Sequence, residues 1–401
     1  MVRRKNIITA FDVGSSSIKG LVAQKSSEQD DKLGVLAHFS FPSQGLRRGV
    51  VVNVDACSES IEKVGLKLKT VAKPYKLTDA FVNINGSHMG GKEAYGAVAI
   101  SRADQKVSQE DIERVIEEAK NINLPINQEL LDMFPREFIV DGEAGLTDIE
   151  GIKGIKLEVK GLAVSAFSLY IKKLMDAVTS ADLSIEEVFI SPIAAARAVL
   201  SPRQKELGVA MVDIGAETTG IAVFEEKRLI HLAVLPVGSA NITRDIAIAL
   251  QTDIDIAEEI KKKFGSFIFK NKRKKEKIKL SEEEVFEFDS QRMVKAGKAR
   301  VLEILRLVEK ELKKINKQKT LPAGIVLTGG GSNLVGLVDF CKNQLELPVR
   351  KGVCKEFVGL ENDPSFSVVL GLALLGSTDI EAVKTNSIFA SILNFLKKLT
   401  P

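Results

Sequence analysis

The chain contains 401 residues, more than one hydrophobic core usually serves, so we expect two or more lobes. Its hydrophobic fraction of 45% and charged fraction of 27% exclude a disordered, collagen-like or disulfide-scaffold protein, and its three cysteines form no C-x-x-C pair. A net charge of +4, three Tyr and no Trp argue against a nucleic-acid binder, and the amino terminus lacks a secretory leader, which favours a protein inside the cell.

The opening of the chain predicts an α/β lobe. Three short apolar segments, NIITAFDVG, IKGLVAQ and LGVLAHFSF, predict strands. Residues 55–71 predict a helix, because Ile61, Val64 and Leu68 recur at helical spacing, and AFVNING predicts a further strand. Strands followed by helices are typical of an α/β lobe, and we assign its first part to residues 1–84.

Residues 85–162 predict an inserted α+β module. They contain the strand pattern YGAVAIS and the polar helix VSQEDIERVIEEAKNI, in which Ser108 and Asp111 have the spacing of a capping box. Residues 163–203 then predict an amphipathic helix, a strand and a second helix, which return the chain to the first lobe.

Residues 204–237 repeat the pattern that opens the chain. GVAMVDIGAETTGIAVF has the same strand, D-x-G turn and strand as IITAFDVGSSSIKGLV, and RLIHLAVLPVG adds a third strand. The repeat predicts the core of a second lobe related to the first. Residues 238–300 predict a basic helical subdomain of that lobe, and residues 301–376 complete its core and return to the first lobe.

The positive charge of the chain is concentrated in one segment. Residues 261–279 contain ten Lys or Arg against the single Glu276, a local charge of +9, so the remainder of the chain sums to −5. One interpretation is a solvated loop; the alternative is a surface for an acidic peptide or a lipid.

The two D-x-G turns predict a polyphosphate site. Each places a carboxylate at the carboxyl end of a strand and follows it with hydroxyls and backbone N–H groups that can bind phosphate. Either turn alone is as well explained by an ordinary β-turn, but two facing turns can hold a polyphosphate while Asp12 and Asp213 bind Mg²⁺ through water. The predicted residues are Asp12, Gly14, Ser15, Ser16, Ser17 and Lys19 in the first turn, and Asp213, Gly215, Ala216, Glu217, Thr218 and Thr219 in the second.

Two further motifs extend this site towards a nucleoside. Glu258 and Lys261 are three residues apart on one helix face, where they can bind ribose hydroxyls and the nucleoside; the alternative is a surface ion pair. A third glycine cluster follows the strand GIVL and can lie flat against a base, or it is only a flexible turn. This cluster comprises Gly329, Gly330, Gly331, Ser332 and Asn333.

Taken together, these motifs resemble the actin-like ATPases and, more closely, the FtsA family of bacterial cell-division proteins. The D-x-G turns resemble the family's phosphate loops, IVLTGGGSNLVGL its adenosine loop, and PVGSANITRDIAIAL with AEEIKKKFG its connecting and adenosine helices, which adds Gly238 to the site. NINGSHMGG and VDGEAGLTDIEGIKG resemble the FtsA insertion. Glu217 and Gly220 stand where the family usually has glycine and aspartate, and Ile149 and Ile152 where it has Pro and Met.

The resemblance implies both a fold and a function. The fold is a two-lobed α/β actin-like (ribonuclease H-like) ATPase fold with an FtsA-type inserted α+β subdomain. The function is that of an ATP- and Mg²⁺-binding protein, at most a slow ATPase, in which Glu217 is a candidate for orienting water. Such a protein forms filaments on the cytoplasmic face of the membrane at the division site. It binds membrane lipids, the carboxyl-terminal peptide of FtsZ and later division proteins, and no nucleic acid.

Two alternatives from the same superfamily remain open. One is a PilM-like protein of type IV pilus assembly, which resembles the chain through both lobes and the insertion. The other is a sugar-kinase-like phosphotransferase, which requires a catalytic aspartate in the cleft between the lobes beyond the two aspartates of the turns.

The end of the chain predicts a membrane-binding amphipathic helix. Residues 377–386 are polar and predict a linker, and residues 387–401 predict a helix too short to span a bilayer. The alternative is a terminal helix packed on its own domain. Apolar residues recur every three or four positions and two lysines follow: Ile388, Phe389, Ile392, Leu393, Leu396 and Leu399, with Lys397 and Lys398.

Overall fold

The computed structural model describes residues 7–27, 30–75, 77–101, 103–146, 148–265, 275–279 and 285–377. The predicted linker beyond Ser377, the amphipathic helix and residues 266–274 of the basic segment lie outside the described residues. No helix within the described part combines the length and the apolar character needed to cross a membrane.

The first lobe is an open sheet covered by helices. Its strands are β1 (Ile7–Val13), β2 (Ser17–Ser27), β3 (Asp30–Pro42), β6 (Asp79–Ile84), β11 (Ser184–Ile190) and β19 (Phe357–Val358), with a short pair β4 (Leu46–Arg47) and β5 (Val50–Val51) beside them. The strand order is β11-β6-β1-β2-β3-β19. Its helices are α1 (Val54–Val71), α3 (Ser168–Ser180), α4 (Ser191–Val199) and α10 (Ser367–Ser377). The predicted strands and helices of this lobe are all present.

Helix α10 connects the end of the second lobe to the core of the first. Most of its residues are apolar, and Val369, Leu372 and Ala373 are fully buried. Gly371 lies directly on α4, where a Cβ atom would come within 1.7 Å of the Ala194 carbonyl oxygen. Only glycine allows this approach of the two helices.

The insertion is a small α+β unit with its own core. It consists of β7 (Gly90–Ala99), α2 (Gln109–Lys120), β8 (Gln128–Val140), β9 (Glu143–Leu146) and β10 (Lys156–Phe167). The capping box of α2 is confirmed: the Asp111 backbone N–H donates to Ser108 Oγ, and the Ser108 backbone N–H donates to Asp111 Oδ2. Val115 and Ala119 of α2 pack on the sheet with Leu157 and Val159 of β10.

The second lobe repeats the first, as the sequence predicts. Its sheet strands are β12 (Val209–Ile214), β13 (Thr219–Glu225), β14 (Arg228–Leu235), β17 (Ile325–Thr328) and β18 (Val349–Lys351). Its helices are α5 (Pro202–Leu207), α6 (Ser239–Leu250), α7 (Ile254–Phe264), α8 (Ser290–Lys314) and α9 (Leu337–Leu345). Strands β12 and β13 pair antiparallel from Asp213↔Gly220, matching β1 and β2 from Asp12↔Lys19.

The segment 238–300 is not wholly helical, which corrects the prediction. Strands β15 (Lys275–Lys279) and β16 (Val285–Asp289) form an antiparallel hairpin between α7 and α8. Its apolar side chains Ile278 and Phe288 are buried, while the lysines of β15 alternate with them outward. The density of lysine hid a period-two pattern that is typical of a strand with one buried face.

The insertion is also attached more closely to the second lobe than its place in the chain suggests. The second-lobe sheet continues through β14 into β7, which gives a nine-stranded order of β18-β17-β12-β13-β14-β7-β10-β8-β9. Arg136 of β8 donates to the carbonyl oxygens of Leu229 and Ile230, and Arg228 donates to the carbonyl oxygen of Arg136. These bonds satisfy backbone groups at the junction of β14 with the insertion.

Candidate functional site

A cavity of about 570 Å³ lies between the lobes, at the carboxyl ends of β1 and β12. Most of the predicted site residues line it: Asp12, Gly14, Ser15, Ser16, Ser17, Lys19, Asp213, Gly215, Ala216, Thr218, Glu258, Lys261, Gly329, Gly330, Gly331 and Asn333. Four predicted residues do not line it and instead hold the turns in place: Glu217, Thr219, Gly238 and Ser332.

Asp12 sits at the end of β1 in a network of hydrogen bonds. Asn83 of β6 donates to Asp12 Oδ1 at 2.9 Å, and Lys19 lies 3.4 Å from Asp12 Oδ2. Burial raises the pKa of Asp12 above its ordinary value, while Lys19 and Asn83 oppose that rise. Asn83 also accepts from the backbone N–H of Val13 at 2.6 Å, so it fixes both the carboxylate and the turn.

Asp213 is the counterpart of Asp12 in the second lobe. Burial, and then the charge of Asp12, raise the pKa of Asp213 to about 7, with Lys19 acting in the opposite direction. The third glycine turn closes over this carboxylate: Gly329 has a φ of 80°, and a Cβ there would lie 2.1 Å from Asp213 Oδ1. When both are ionised, these two neighbouring carboxylates and one lysine leave a local excess of negative charge.

That excess fits a divalent cation whose coordination is completed by water or phosphate oxygen. Within the described residues no group of three or more His, Cys, Asp or Glu side chains is placed to hold a metal ion. Mg²⁺ commonly keeps several waters and takes only one or two carboxylates, so Asp12 and Asp213 suit it.

The second D-x-G turn is locked against α6. The backbone N–H of Gly215 donates to the Thr218 carbonyl oxygen at 2.9 Å, and the backbone N–H of Ser239 donates to the Gly215 carbonyl oxygen at 2.9 Å. A Cβ at Gly238 would lie 2.6 Å from the carbonyl oxygen of Ala216, which explains a glycine at this position. The turn and the amino terminus of α6 therefore form one rigid unit facing the cavity.

Glu217 bridges the lobes outside the cavity. Its Oε2 accepts from the Arg48 backbone N–H at 2.6 Å, and its Oε1 accepts from the Arg244 guanidinium at 3.1 Å. Arg48 belongs to the first lobe and Arg244 to α6 of the second. This geometry favours a structural role for Glu217 over contact with phosphate, because both of its oxygens have partners.

Glu258 and Lys261 meet as the sequence predicts, at the other end of the cavity. Lys261 Nζ lies 2.6 Å from Glu258 Oε2, and Thr243 Oγ1 donates to that oxygen at 2.5 Å. Burial pushes the pKa of Glu258 upward, but the bonds from Lys261 and Thr243 bring it below its ordinary value. The carboxylate is thus held ionised, with Glu258 Oε1 directed to the more exposed side, 3.6 Å from Lys262.

One segment that lines the cavity was not predicted from the sequence. Asp363, Ser365 and Phe366 lie just before α10 and line the site. Asn333 of the third turn donates to Asp363 Oδ1 at 2.9 Å, and Asp363 also accepts from the Ser365 backbone N–H at 2.9 Å. An Asp-Pro-Ser sequence before an apolar helix is a helix-start signal that could have marked this segment.

Comparisons with known proteins agree with this architecture. The family model "Cell division protein FtsA" matches residues 210–371, and that for the SHS2 domain inserted in FtsA matches residues 86–165. FtsA of Bacillus subtilis (strain 168) is 32% identical over 382 residues, covering 92% of this chain and 83% of that protein. FtsA of Pseudomonas aeruginosa is 32% identical over 381 residues, covering 94% of this chain and 90% of that protein.

Solved structures show the same fold at lower identity. PilM of a PilM-PilN type IV pilus biogenesis complex superposes with a TM-score of 0.66 at 21% identity, covering 93% of this chain and 99% of that one. MreB5 of Spiroplasma citri bound to ADP gives 0.55 at 12% identity, covering 95% and 99%. These likenesses establish the two-lobed actin-like fold, and the PilM likeness goes no further than the fold. The identity to FtsA proteins over nearly the whole chain, with the matching insertion, shows that the chain belongs to the FtsA family of cell division proteins.

Proposed function

We propose that this chain binds Mg-ATP between its lobes, polymerises on the cytoplasmic face of the membrane at the division site and anchors the FtsZ ring there. The observation that carries the proposal is the cavity between the lobes, in which the two D-x-G turns face each other. Membership of the FtsA family supports a role in cell division, and the residues that line the cavity support the binding of Mg-ATP.

The cavity suits a nucleoside triphosphate in both size and polarity. Its volume lies within the range of small-molecule sites, and its two turns present hydroxyls, backbone N–H groups and Lys19 to a polyphosphate. Glu258 offers an acceptor for ribose hydroxyls, and Gly329 and Gly330 offer a flat backbone surface for a base. Related folds support this assignment, since MreB5 of Spiroplasma citri was solved bound to ADP and to AMPPNP.

Asp12 and Asp213 would hold Mg²⁺ through water. When bound, the cation would neutralise phosphate charge and the mutual repulsion of the two carboxylates. Asn83 keeps Asp12 directed into the cavity, and Gly329 leaves room for Asp213. Because the turns belong to different lobes, nucleotide binding favours lobe closure.

Turnover of ATP is expected to be slow. Glu217, the candidate for orienting water, is paired with Arg48 and Arg244 and does not line the cavity. In the proposed function, bound nucleotide mainly stabilises the closed arrangement of the lobes, which is the conformation that polymerises. A sugar kinase with its substrate turns over at roughly 1 to 100 per second, so the rate separates the two classes.

The basic segment at 261–279 is the proposed surface for FtsZ. Its β-hairpin presents Lys275 and Lys277, which share Glu287 as an ion-pair partner, so the described part of the segment is only partly neutralised. A positive surface steers an acidic peptide and raises its association rate. Self-association has a precedent in the fold, since MamK, with a TM-score of 0.52, was solved as a double helical filament.

A fluorescent fusion in dividing cells tests the proposed function. A band at mid-cell is expected, because the protein would follow the FtsZ ring. Polar foci, or foci associated with pili, would instead support the PilM-like alternative, and diffuse cytoplasmic fluorescence would contradict both membrane attachment and recruitment.

A further inference from the structure

A second large cavity lies at the opposite end of the central strands from the D-x-G turns. It has a volume of about 1420 Å³ and is bounded by the end of α4, the start of α5 and the end of α10. Among the described residues, its wall contains seven cationic side chains and a single carboxylate, that of Glu356, while Glu206 beside the wall pairs with Lys227 at 2.7 Å. The cations are Lys25, Lys32, Arg197, Lys205, Lys227, Arg350 and Lys355. We call this feature the basic cavity.

Two arginines of the basic cavity are fixed by the fold. Arg350 donates to the Val199 carbonyl oxygen at 2.8 Å and to Gln204 Oε1 at 2.6 Å, which ties β18 to the end of α4 and to α5. Arg197 Nη1 contacts both oxygens of Glu356, at 2.9 and 3.1 Å. These two cations of the wall are therefore held in place by the fold.

Among the described side chains, the basic cavity contains more positive charge than Glu356 and Glu206 offset. Burial, and then the charge of Arg197, lower the pKa of Lys205 to about 8, and Glu356 counteracts this only in part. Lys25 and Lys355 are exposed at the rim. Like charges held together in a concave surface create a positive potential, and a multiply charged anion relieves it.

The position of the basic cavity beside the start of the tail indicates which class of anion it binds. Ser377, the last residue of α10, lies on its wall, and the sequence continues from there into the predicted linker and amphipathic helix. The nine residues 378–386 span at most about 32 Å when fully extended. A tail inserted in the membrane would therefore keep the basic cavity close to the lipid headgroups.

We propose that the basic cavity binds the phosphate groups of anionic lipids beside the inserted tail. This inference rests on the proposed membrane attachment and adds a second contact, made by the folded body. The tail supplies most of its affinity through apolar insertion, to which Lys397 and Lys398 add a smaller dependence on headgroup charge. The basic cavity adds selectivity for anionic lipid. It also sets the orientation of the folded body on the membrane, because two contacts restrict the rotation that a single flexible tether allows.

The test compares full-length variants on two kinds of vesicle. The cavity variant carries Lys25→Glu and Lys355→Glu, and the matched control carries Lys67→Glu and Lys310→Glu on exposed positions of α1 and α8 that do not line the cavity. Each protein is sedimented with vesicles of equal parts phosphatidylglycerol and phosphatidylcholine, and with vesicles of phosphatidylcholine alone. Thermal unfolding of each variant verifies that the fold is retained.

The cavity variant should lose at least about tenfold in affinity for the anionic vesicles, since each cation at such a surface contributes roughly fivefold. Its affinity for phosphatidylcholine vesicles should equal that of the unaltered protein, and the control should lose much less on either vesicle. Equal losses in the cavity variant and the control, or no loss in the cavity variant, would overturn the inference.

A further full-length variant, Phe389→Asp with Leu393→Asp, separates this inference from the proposed tail anchor. If the tail is not an anchor, this variant will bind vesicles as well as the unaltered protein, while the cavity variant still reports on the cavity. Absence of any vesicle binding by the unaltered protein would overturn both ideas.

Calorimetry distinguishes lipid phosphate from a soluble phosphate ligand. Protein saturated with Mg-ATP is titrated with inorganic tripolyphosphate. Only weak heats are expected, because one soluble anion cannot replace the many headgroups that a lipid surface presents at once. Tight tripolyphosphate binding that the cavity variant loses would assign the basic cavity to a soluble anion and overturn the lipid assignment.

Discussion

Asp12 and Asp213 show how much of the site a single residue pattern predicts. Each D-x-G turn has its aspartate at the end of a strand, so the pattern gave the two carboxylates and their place between the lobes. Asn83, which holds Asp12, was not predicted, because an asparagine in a strand gives no sign of what it faces. Contacts between residues 71 apart in the chain depend on the sheet order, which the sequence pattern does not contain.

The same difficulty applies to Glu217. A carboxylate in a phosphate-binding turn suggests a contact with metal or water. The structure instead pairs it with Arg48 and Arg244, and Arg48 comes from a hairpin 169 residues away in the sequence. The choice between a chemical and a structural role was therefore open until the position of that hairpin was known.

Asp132 gives a prediction about pH. It lies on β8 of the insertion, where burial raises its pKa to about 7. Burial, and then the charge of Asp132, also raise the pKa of Glu187 on β11 to about 7. A carboxyl group whose pKa is raised in the folded state binds its proton more tightly when the protein is folded. The contribution of such a group to the free energy of unfolding therefore falls as the pH rises from about 4 through 7.

Asp132→Asn should therefore stabilise the protein at pH 8, by roughly 1 to 3 kcal/mol, and have little effect near pH 4. Thermal unfolding across this range measures the effect, and Asp176→Asn on the exposed face of α3 is the matched control. A variant whose melting temperature follows that of the unaltered protein at every pH would show that Asp132 is not the responsible group.

Helix α10 links the candidate site to the core of the first lobe. It begins beside Phe366 of the cavity wall and packs on α4 through Gly371, so the candidate site and the first-lobe core share one helix. Its apolar sequence is typical of a buried helix, but the closeness of its approach to α4 could not be predicted from a single glycine.

Gly371→Ala should destabilise the fold by about 1 to 3 kcal/mol, because the new Cβ would collide with the carbonyl oxygen of Ala194 and force the helices apart. Urea unfolding measures this change. Gly90→Ala is the control, since a Cβ there meets nothing within 4 Å. Equal stability of both variants would mean that α10 and α4 can separate at little cost.

At the scale of the whole molecule, the internal repeat predicted the two lobes, the pattern of residues 85–162 predicted the insertion, and the resemblance predicted the actin-like fold. The continuous nine-stranded sheet was not predicted. A strand's partner is set by edge geometry and by long-range bonds such as those of Arg136, and local patterns give no information on either. The hairpin of β15 and β16 was missed for a local reason, because its lysines resembled a helical basic face.

In the proposed function, membrane attachment is a property of the whole molecule, because each tail would bind modestly and several tails in a filament would bind together. Full-length protein should sediment with anionic liposomes, and a chain truncated after Lys384 should stay largely in the supernatant. Equal sedimentation of the two chains would show that the tail is not the main anchor.

The central claim is that nucleotide binds between the lobes, and calorimetric titration with Mg-ATP tests it most directly. The unaltered protein should bind, and Asp12→Ala and Gly215→Val should each abolish binding with little change in melting temperature. In the first variant the cation loses a carboxylate, and in the second a Cβ is placed 3.1 Å from the Thr218 carbonyl oxygen, which distorts the turn. Unchanged ATP affinity in both variants would place the nucleotide site elsewhere and contradict the account.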